Sequence, residues 1–383
     1  MKHQSAPQAS ARVLNVLHAI PSIALHHGGP SQSVAGLITA MSNCAPGKVG
    51  LICGRDRQEP DLGARVNRHD MRHVNRRFWC PAPGAIVRMA QVVRCADVVH
   101  VHSYWNGFAS VMIALARRAG KPAVLSPRGS LQRQAMAQSS GRAKAVFAAL
   151  GGRRQLAGVS GFHFQTKAEA KASFGTLGRP SVIIDNGVDL PALGSPQAAL
   201  RSQLFGQAAR EKNLVFLGRI ARIKGIDLQV RALSLLLDRG VAARLHLVGP
   251  DGGDTARLQN LADDLGIADR VHCHGPVYSE IKHQWLRAAD AVVMSSEFEN
   301  NSNAALEAMA AGGLLIATEG SITDGPVQAR AALRAPRTAE ALAQALTQPP
   351  APDKREKARA YVQSHHGWAP RAVRMLEFYE SLL

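Results

Sequence analysis

Short apolar runs alternate with stretches of helical period along the chain, most clearly in its second half. Leu214-Val-Phe-Leu217 reads as a buried strand that ends at Gly218. Between Gly225 and Asp238, Ile226, Val230, Leu233 and Leu237 recur at helical spacing, and Gly240 stops the pattern. Arg244–Val248 is the next expected strand, and Gly249-Pro-Asp-Gly-Gly253 the turn after it. The alternation continues with a helix over Thr255–Leu265, a strand over Arg270–Cys273, a helix over Glu280–Ala289 and a strand over Ala291–Met294. A helix over Asn303–Ala311, stopped by Gly312, precedes a strand over Leu314–Ala317. Alternating strands and helices of these lengths predict a doubly wound parallel α/β domain.

The first half repeats the pattern less cleanly. Strands are expected over Val13–Ile20, Lys48–Cys53, Asp97–His102 and Ala123–Ser126. Helices are expected over Phe108–Ala119 and over Ser31–Met41, the latter capped by Ser31 or Ser33. A stretch rich in Pro, Ala, Gly and Ser, Leu190–Gln203, reads as a linker. Gln348-Pro-Pro-Ala-Pro352 reads as a second spacer before a final helix, Pro370–Leu383. The expectation is two α/β domains with a cleft between them.

At 383 residues the chain is too long for one ordinary core and sufficient for two. Hydrophobic residues at 46% and charged residues at 19% mark globular material, not a disordered tail. No apolar run approaches the ~18 residues of a membrane helix. Met1–Leu25 could mimic a signal peptide, but Asn15, His18 and Pro21 interrupt it, so it reads as a first buried strand. The five cysteines, Cys44, Cys53, Cys80, Cys95 and Cys273, form no C-x-x-C pair. That excludes a disulfide framework or dense zinc site, fits a reducing cytoplasm, and leaves each cysteine as an expected small buried hydrophobe.

Charge divides the chain unevenly. Up to Leu190 there are 24 basic and 8 acidic residues; beyond it, 22 and 20, within a total of +18. The first half is therefore expected to meet something anionic: nucleic acid, a lipid headgroup surface or a phosphorylated substrate.

Ligands of parallel α/β sheets collect at the carboxyl ends of strands, so the loops there carry the candidate chemistry. After Leu217 comes Gly218-Arg-Ile-Ala-Arg-Ile-Lys-Gly225, in which Arg219 and Lys224 could grip an anion. After Met294 comes a loop holding Glu299, then a helix start. Asn301 or Ser302 could cap that helix, with backbone N–H groups at Asn303 and Ala304 and Glu307 in the second turn. A carboxylate there suits sugar or ribose hydroxyls. No G-x-G-x-x-G follows the first strand, and no P-loop motif occurs, so neither a dinucleotide fold nor a P-loop is supported. Asp251-Gly-Gly-Asp254 reads as a turn rather than a metal pair.

Gly218-Arg219 with Lys224-Gly225, Glu299 with Glu307, and Leu306-Glu-Ala-Met-Ala-Ala-Gly312 together resemble glycosyltransferase family 4. Gly28-Gly29-Pro30, Asp97-Val-Val-His-Val-His102, Ser126-Pro-Arg-Gly-Ser130 and Asn186-Gly-Val-Asp189 match in kind and order, from Val13 to about Gly320, with Trp368 and the final helix. The resemblance implies the GT-B fold: two Rossmann-like doubly wound parallel-sheet domains facing a central cleft. Residues 1–192 would bind acceptor, 193–366 the nucleotide sugar, and 367–383 would form a helix returning to the first domain.

It further implies a retaining transfer of a hexosyl-type sugar from a UDP- or GDP-linked donor to a glycan or lipid-linked acceptor, without metal or other cofactor. The setting it implies is cell-envelope, lipopolysaccharide or exopolysaccharide synthesis. By the same resemblance Arg219 and Lys224 would hold the diphosphate, Glu307 the ribose and Glu299 the transferred sugar. Residues 301–304 would face phosphate or sugar, Gly28 and Gly29 would close from the other domain, and His102 would lie near the reactive carbon. Trp105 and Arg128 would touch acceptor or phosphate. Where many relatives carry an aromatic or aliphatic residue and then Gly or Pro, this chain has Asn301 and Ser302, which makes the expected donor-sugar pocket more polar.

The expected location is cytoplasmic, with peripheral contact at the anionic cytoplasmic face of the inner membrane. The basic surface for it comprises Arg65, Arg68, Arg72, Arg76, Arg77, Arg133, Arg142, Lys144, Arg153 and Arg154. Two rival readings stand beside this one. A sugar-nucleotide epimerase or phosphorylase would share the fold but lacks an evident acid–base carboxylate pair or pyridoxal lysine. A nucleic-acid-binding protein would use the charge but has only 5% aromatics and no binding motif.

Overall fold

The computed structural model describes residues 13–75, 79–132, 153–176, 178–194, 196–299, 301–348, 351 and 353–383. It divides into two units. The first ends at Asp185 and takes up the chain again at Trp368–Leu383; the second is Asn186–Gly367.

The first unit carries a seven-stranded sheet. Its strands are β1 (Val16–Ala19), β2 (Val49–Gly54), β3 (Val66–Met71), β6 (Val98–His102), β7 (Ala123–Ser126), β8 (Gly161–Phe164) and β9 (Ser181–Ile183). Their spatial order is β3-β2-β1-β6-β7-β8-β9, all parallel. A two-stranded ribbon, β4 (His73–Asn75) with β5 (Cys80–Pro81), stands apart. In the second unit β10 (Lys212–Leu217), β11 (Ala243–Val248), β12 (Val271–Gly275), β13 (Ala291–Met294), β14 (Leu315–Thr318) and β15 (Ala332–Ala335) take the order β12-β11-β10-β13-β14-β15, again parallel. Each sheet is covered on both faces by apolar clusters, which is why its central strands read as continuous hydrophobic runs.

In both sheets the strand order reverses beside the first strand of the unit, at β1/β6 and at β10/β13. The carboxyl ends of such strand pairs are the usual ligand position in a doubly wound sheet.

Several sequence expectations change here. The helix α1 runs Gly29–Cys44 with Gly28 as its N-cap, not Ser31 or Ser33. Gly28 sits at φ +82°, where glycine is favoured, and Pro30 presets the first turn. Ser33 instead bonds back to the Gly29 carbonyl at 3.0 Å. The expected linker becomes a helix from Gln197 to Phe205. Of the cysteines only Cys53 is buried, its thiol pushed up to about 12 by burial; the other four are exposed.

The last helix, Trp368–Glu380, packs on α1. A Cβ on Gly36 would lie 2.4 Å from the Trp368 ring, so the missing side chain is what admits the indole. Gly36→Leu is expected to cost about 1–3 kcal/mol through overpacking. A thermal unfolding midpoint equal to that of the parent chain would show that the ring has room after all.

Candidate functional site

In the second unit the loop after β10 and the loop after β13 are fastened together. Ser295, fully buried, donates from Oγ to the Gly225 carbonyl at 2.7 Å, and the Lys224 carbonyl lies 3.1 Å from the same oxygen. It accepts from Gln229 Nε2 at 2.8 Å. The Glu297 N–H donates to the Ile223 carbonyl at 2.9 Å. Gly225, at φ +58°, permits this approach: a Cβ there would meet the Ser295 carbonyl oxygen at 2.3 Å. One short turn, Arg222–Lys224, thereby holds Lys224 against the neighbouring loop.

Lys224 Nζ forms an ion pair with Glu299 Oε1, and Ser296 Oγ donates to that same oxygen at 2.8 Å. Glu299 is fixed further by its N–H, which donates to the Gly320 carbonyl at 2.9 Å. Arg219, at the mouth of the first loop, is exposed. Ser302 is the N-cap of the helix Asn303–Ala310, its Oγ accepting from the Ala305 N–H at 3.3 Å. The alanine-rich sequence after that cap favours a helix. Asn301 Nδ2 is buried without a partner among the described residues. Asn303 Oδ1 accepts from Asn186 Nδ2 at 2.6 Å.

Glu307, one turn further, is held by a residue that the sequence did not single out. Lys282, from the helix Ser279–Ala288, donates from Nζ to Glu307 Oε1 at 2.9 Å, and both side chains are almost buried. A carboxylate keeps acceptor capacity at its second oxygen. Asp251-Gly-Gly-Asp254 is a turn, as read: Asp251 Oδ1 accepts from the Gly253 N–H at 2.8 Å, and Asp254 pairs with Arg257.

The first unit holds a different construction. His18 on β1, His100 and His102 on β6, Ser126 on β7 and His163 on β8 are buried side by side beneath Tyr379. The directions of the hydrogen bonds follow from one end. His163 Nε2 lies 2.9 Å from the Ile184 carbonyl and must carry the proton, so Ser126 donates to His163 Nδ1 at 2.6 Å. His100 Nε2 then donates to Ser126 at 2.6 Å, and the Tyr379 hydroxyl donates to His100 Nδ1 at 2.5 Å. His18 Nδ1 and His102 Nε2 share one proton across 3.0 Å, while His102 Nδ1 has no partner among the described residues.

Burial, with neighbouring imidazoles and Arg128 adding to it, holds these rings neutral. His18 and His163 are lowered to about 3, and His100 and His102 lie well below the ordinary value. Arg128, at φ +52°, donates from Nη1 to Ser33 Oγ at 2.6 Å, and burial lowers it to about 10. Trp105 Nε1 donates to the Ser130 carbonyl at 2.6 Å. Gly28 and Gly29 open α1 without a side-chain cap.

Of the expected basic surface, Arg65 and Arg72 are exposed, whereas Arg68 is paired with Glu59 and Asp70. Arg76, Arg77, Arg133, Arg142, Lys144 and the side chains of Arg153 and Arg154 lie outside the described residues. No helix among the described residues is long and apolar enough to cross a membrane.

Two parallel sheets, each with chemistry at its switch point, define a GT-B protein, and comparison with known proteins narrows this. The family profile described as "Glycosyl transferase 4-like domain" matches residues 28–187, and "Glycosyl transferases group 1" matches 211–348. The chain belongs to glycosyltransferase family 4. Among curated relatives, a D-inositol 3-phosphate glycosyltransferase of Thermomonospora curvata is 31% identical over 241 residues, 58% of this chain and 55% of the relative. One from Streptomyces griseus is 31% identical over 248 residues, 58% and 52% of the two chains. The chain thus spans about half the length of these relatives.

Solved structures share the fold along nearly the whole chain. Sucrose-phosphate synthase from Thermosynechococcus elongatus has a TM-score of 0.74 at 20% identity, covering 96% of this chain and 99% of its own. Anabaena HepE, solved with UDP-glucose, has 0.73 at 18%, covering 96% and 100%.

Proposed function

We propose that the chain is a retaining glycosyltransferase that moves a sugar from a UDP- or GDP-linked donor to a glycan or lipid-linked acceptor. The observation that carries this is the fastened pair of loops at the β10/β13 switch point, which present Lys224 with Glu299 next to the helix bearing Glu307. Curated relatives named as D-inositol 3-phosphate glycosyltransferases, and a fold neighbour solved with UDP-glucose, support the reading.

In this reading Arg219 and Lys224 bind the donor diphosphate, Glu307 accepts from ribose hydroxyls, and Glu299 accepts from the transferred sugar. Asn301 Nδ2 and the first turn of the helix that Ser302 caps, at Asn303 and Ala304, donate to sugar or phosphate oxygens. Cleaving the bond between the anomeric carbon and phosphate leaves negative charge on the diphosphate. Cations fixed beforehand stabilise that charge without reorganising, so the transfer step needs no metal. In this reading Gly28 and Gly29, at the start of α1, face the donor, and His102, Trp105 and Arg128 meet sugar or acceptor. Cell-envelope or exopolysaccharide synthesis is the proposed setting.

A thermal-shift panel of UDP, GDP, ADP and their sugars tests the donor site. Donor at 100 times its dissociation constant adds about 2.7 kcal/mol, which is roughly 5–10 °C for a unit of this size. One base is expected to give the shift, and Glu307→Ala and Arg219→Ala are each expected to abolish it. No shift with any nucleotide, or a shift retained in both variants, would remove the site from consideration.

The exposed Arg65 and Arg72 belong to a proposed contact with an anionic membrane surface. The protein is expected to sediment with anionic vesicles at low salt and to be released at high salt, since each such cation is worth about 1 kcal/mol near the surface. Equal recovery on neutral vesicles would count against the contact.

A further inference from the structure

Two adjacent histidines precede α1 on a single tight turn, Leu25–His27. Both rings aim Nε2 at one oxygen, Asp56 Oδ2, at 3.8 Å from His26 and 3.6 Å from His27. The ligand atoms of all three residues lie within 4.8 Å of one another.

The surroundings hold this arrangement in place. The Leu25 N–H donates to the Gln58 carbonyl at 2.9 Å, joining the two turns. Asp56 Oδ1 accepts from the Arg57 N–H at 2.8 Å, which directs Oδ2 towards the imidazoles. The Asp56 N–H donates to Glu59 at 2.9 Å, and Arg68 pairs with Glu59 at 2.7 Å. Trp79 meets the His27 ring edge-on at a centroid distance of 5.4 Å.

Neither N···O separation is a hydrogen bond. With ring centroids 4.1 Å apart, two protonated imidazoles would repel, so protonation lets only one of the rings pair with Asp56. A divalent cation reverses the sign of the problem. With bonds of about 2.0–2.1 Å, neighbouring ligand atoms of a tetrahedral centre lie about 3.3–3.4 Å apart, so the two N···O pairs need to close by only a few tenths of an ångström, and the third pair already lies within 4.8 Å.

We propose that His26, His27 and Asp56 bind a divalent cation of borderline softness, Zn²⁺ or Co²⁺. Two imidazoles and a carboxylate suit those ions. The side chains of His26 and His27 are 45% and 34% exposed, so the fourth position opens to water or an anionic oxygen. The ion clamps the turn before Gly28 to the turn at Asp56 and so fixes the start of α1. It is a ligand set separate from the metal-free transfer step, and it stands whether or not that reading does. The buried cluster His18, His100 and His102 is the poorer host, because four of its six ring nitrogens are engaged with one another, Ser126 and Tyr379, and Arg128 places a positive charge beside it.

Chelator-treated protein without a histidine tag is titrated with Co²⁺ and then with competing Zn²⁺, reading visible d–d absorption and metal content after dialysis. One equivalent per chain is expected. His26→Ala, His27→Ala and Asp56→Asn are each expected to weaken binding at least tenfold with unchanged circular dichroism, while His246→Ala on β11 retains it. Absence of stoichiometric binding at tens of micromolar metal overturns the proposal. So does unchanged affinity in the variants that keep their circular dichroism, which would move the ion elsewhere.

Discussion

Acidification is expected to unfold the first unit at about pH 5, ahead of the second. Its four buried histidines are neutral in the fold, with His18 and His163 lowered to about 3 and His100 and His102 well below the ordinary value. In the unfolded chain they titrate near 6.5. Above that value the neutral rings cost nothing to keep. Below it the unfolded state binds protons that the fold refuses, and stability falls by about 1.4 kcal/mol per histidine per pH unit, down towards the folded values. Four such groups exhaust an ordinary stability of about 5–15 kcal/mol within about one to three units. Among the described residues of the second unit only His246 is held near 3. Tryptophan fluorescence against pH checks this, because Trp79, Trp105 and Trp368 lie in the first unit and Trp285 in the second. His163→Gln, which keeps a donor for the Ile184 carbonyl, is expected to flatten the slope by about a quarter. Native fluorescence persisting at pH 4 would mean that the network admits protons without breaking.

Lys224→Ala is expected to lower kcat/KM for sugar transfer by about 10²–10³, the usual loss when one preorganised charge is removed from a transition state. Lys224 is paired with Glu299, so a diphosphate bound to it as proposed would take the place of that carboxylate. Glu299→Gln removes that competitor and is also expected to cost rate through loss of the proposed sugar contact. The double variant should therefore fall short of the sum of the two effects. Initial rates at varied donor concentration supply the test. A Lys224→Ala enzyme within fivefold of the parent would show that the diphosphate is carried elsewhere.

The sheets were legible at most of the strands buried on both faces. Ala123–Ser126 and Ala291–Met294 were read with their observed bounds because each is a short apolar run between turn residues. The edge strands β3, β9 and β15 escaped, as did the inner strand β8, Gly-Phe-His-Phe, whereas the edge strand β12 did not. β3, Val-Asn-Arg-His-Asp-Met, faces solvent along much of its length and pairs Arg68 with Asp70 on its own surface, which leaves no apolar run to notice. β15, Ala-Leu-Arg-Ala, fails for the same reason.

At the candidate site, charged residues in strand-end loops stood out, but their partners did not. Lys282 on a helix reads as a solvated lysine until the fold brings Glu307 to it. The histidine network was half visible: His100 and His102 share one strand face, whereas His18 and His163 join them only through pairing of four strands. The cap of α1 was misassigned because serine is the better cap in general, while here glycine at positive φ and an early proline set the turn.

The first unit is discontinuous in sequence, and this fixes an order of events during synthesis. Its sheet emerges from the ribosome early, but the Trp368 ring that fills the gap at Gly36 and the Tyr379 hydroxyl that caps His100 belong to the last stretch of the chain. At about 5–20 residues per second, the intervening second unit takes roughly 10–40 s to make. The half that is born first is completed last, and throughout that interval its histidine face awaits its cover.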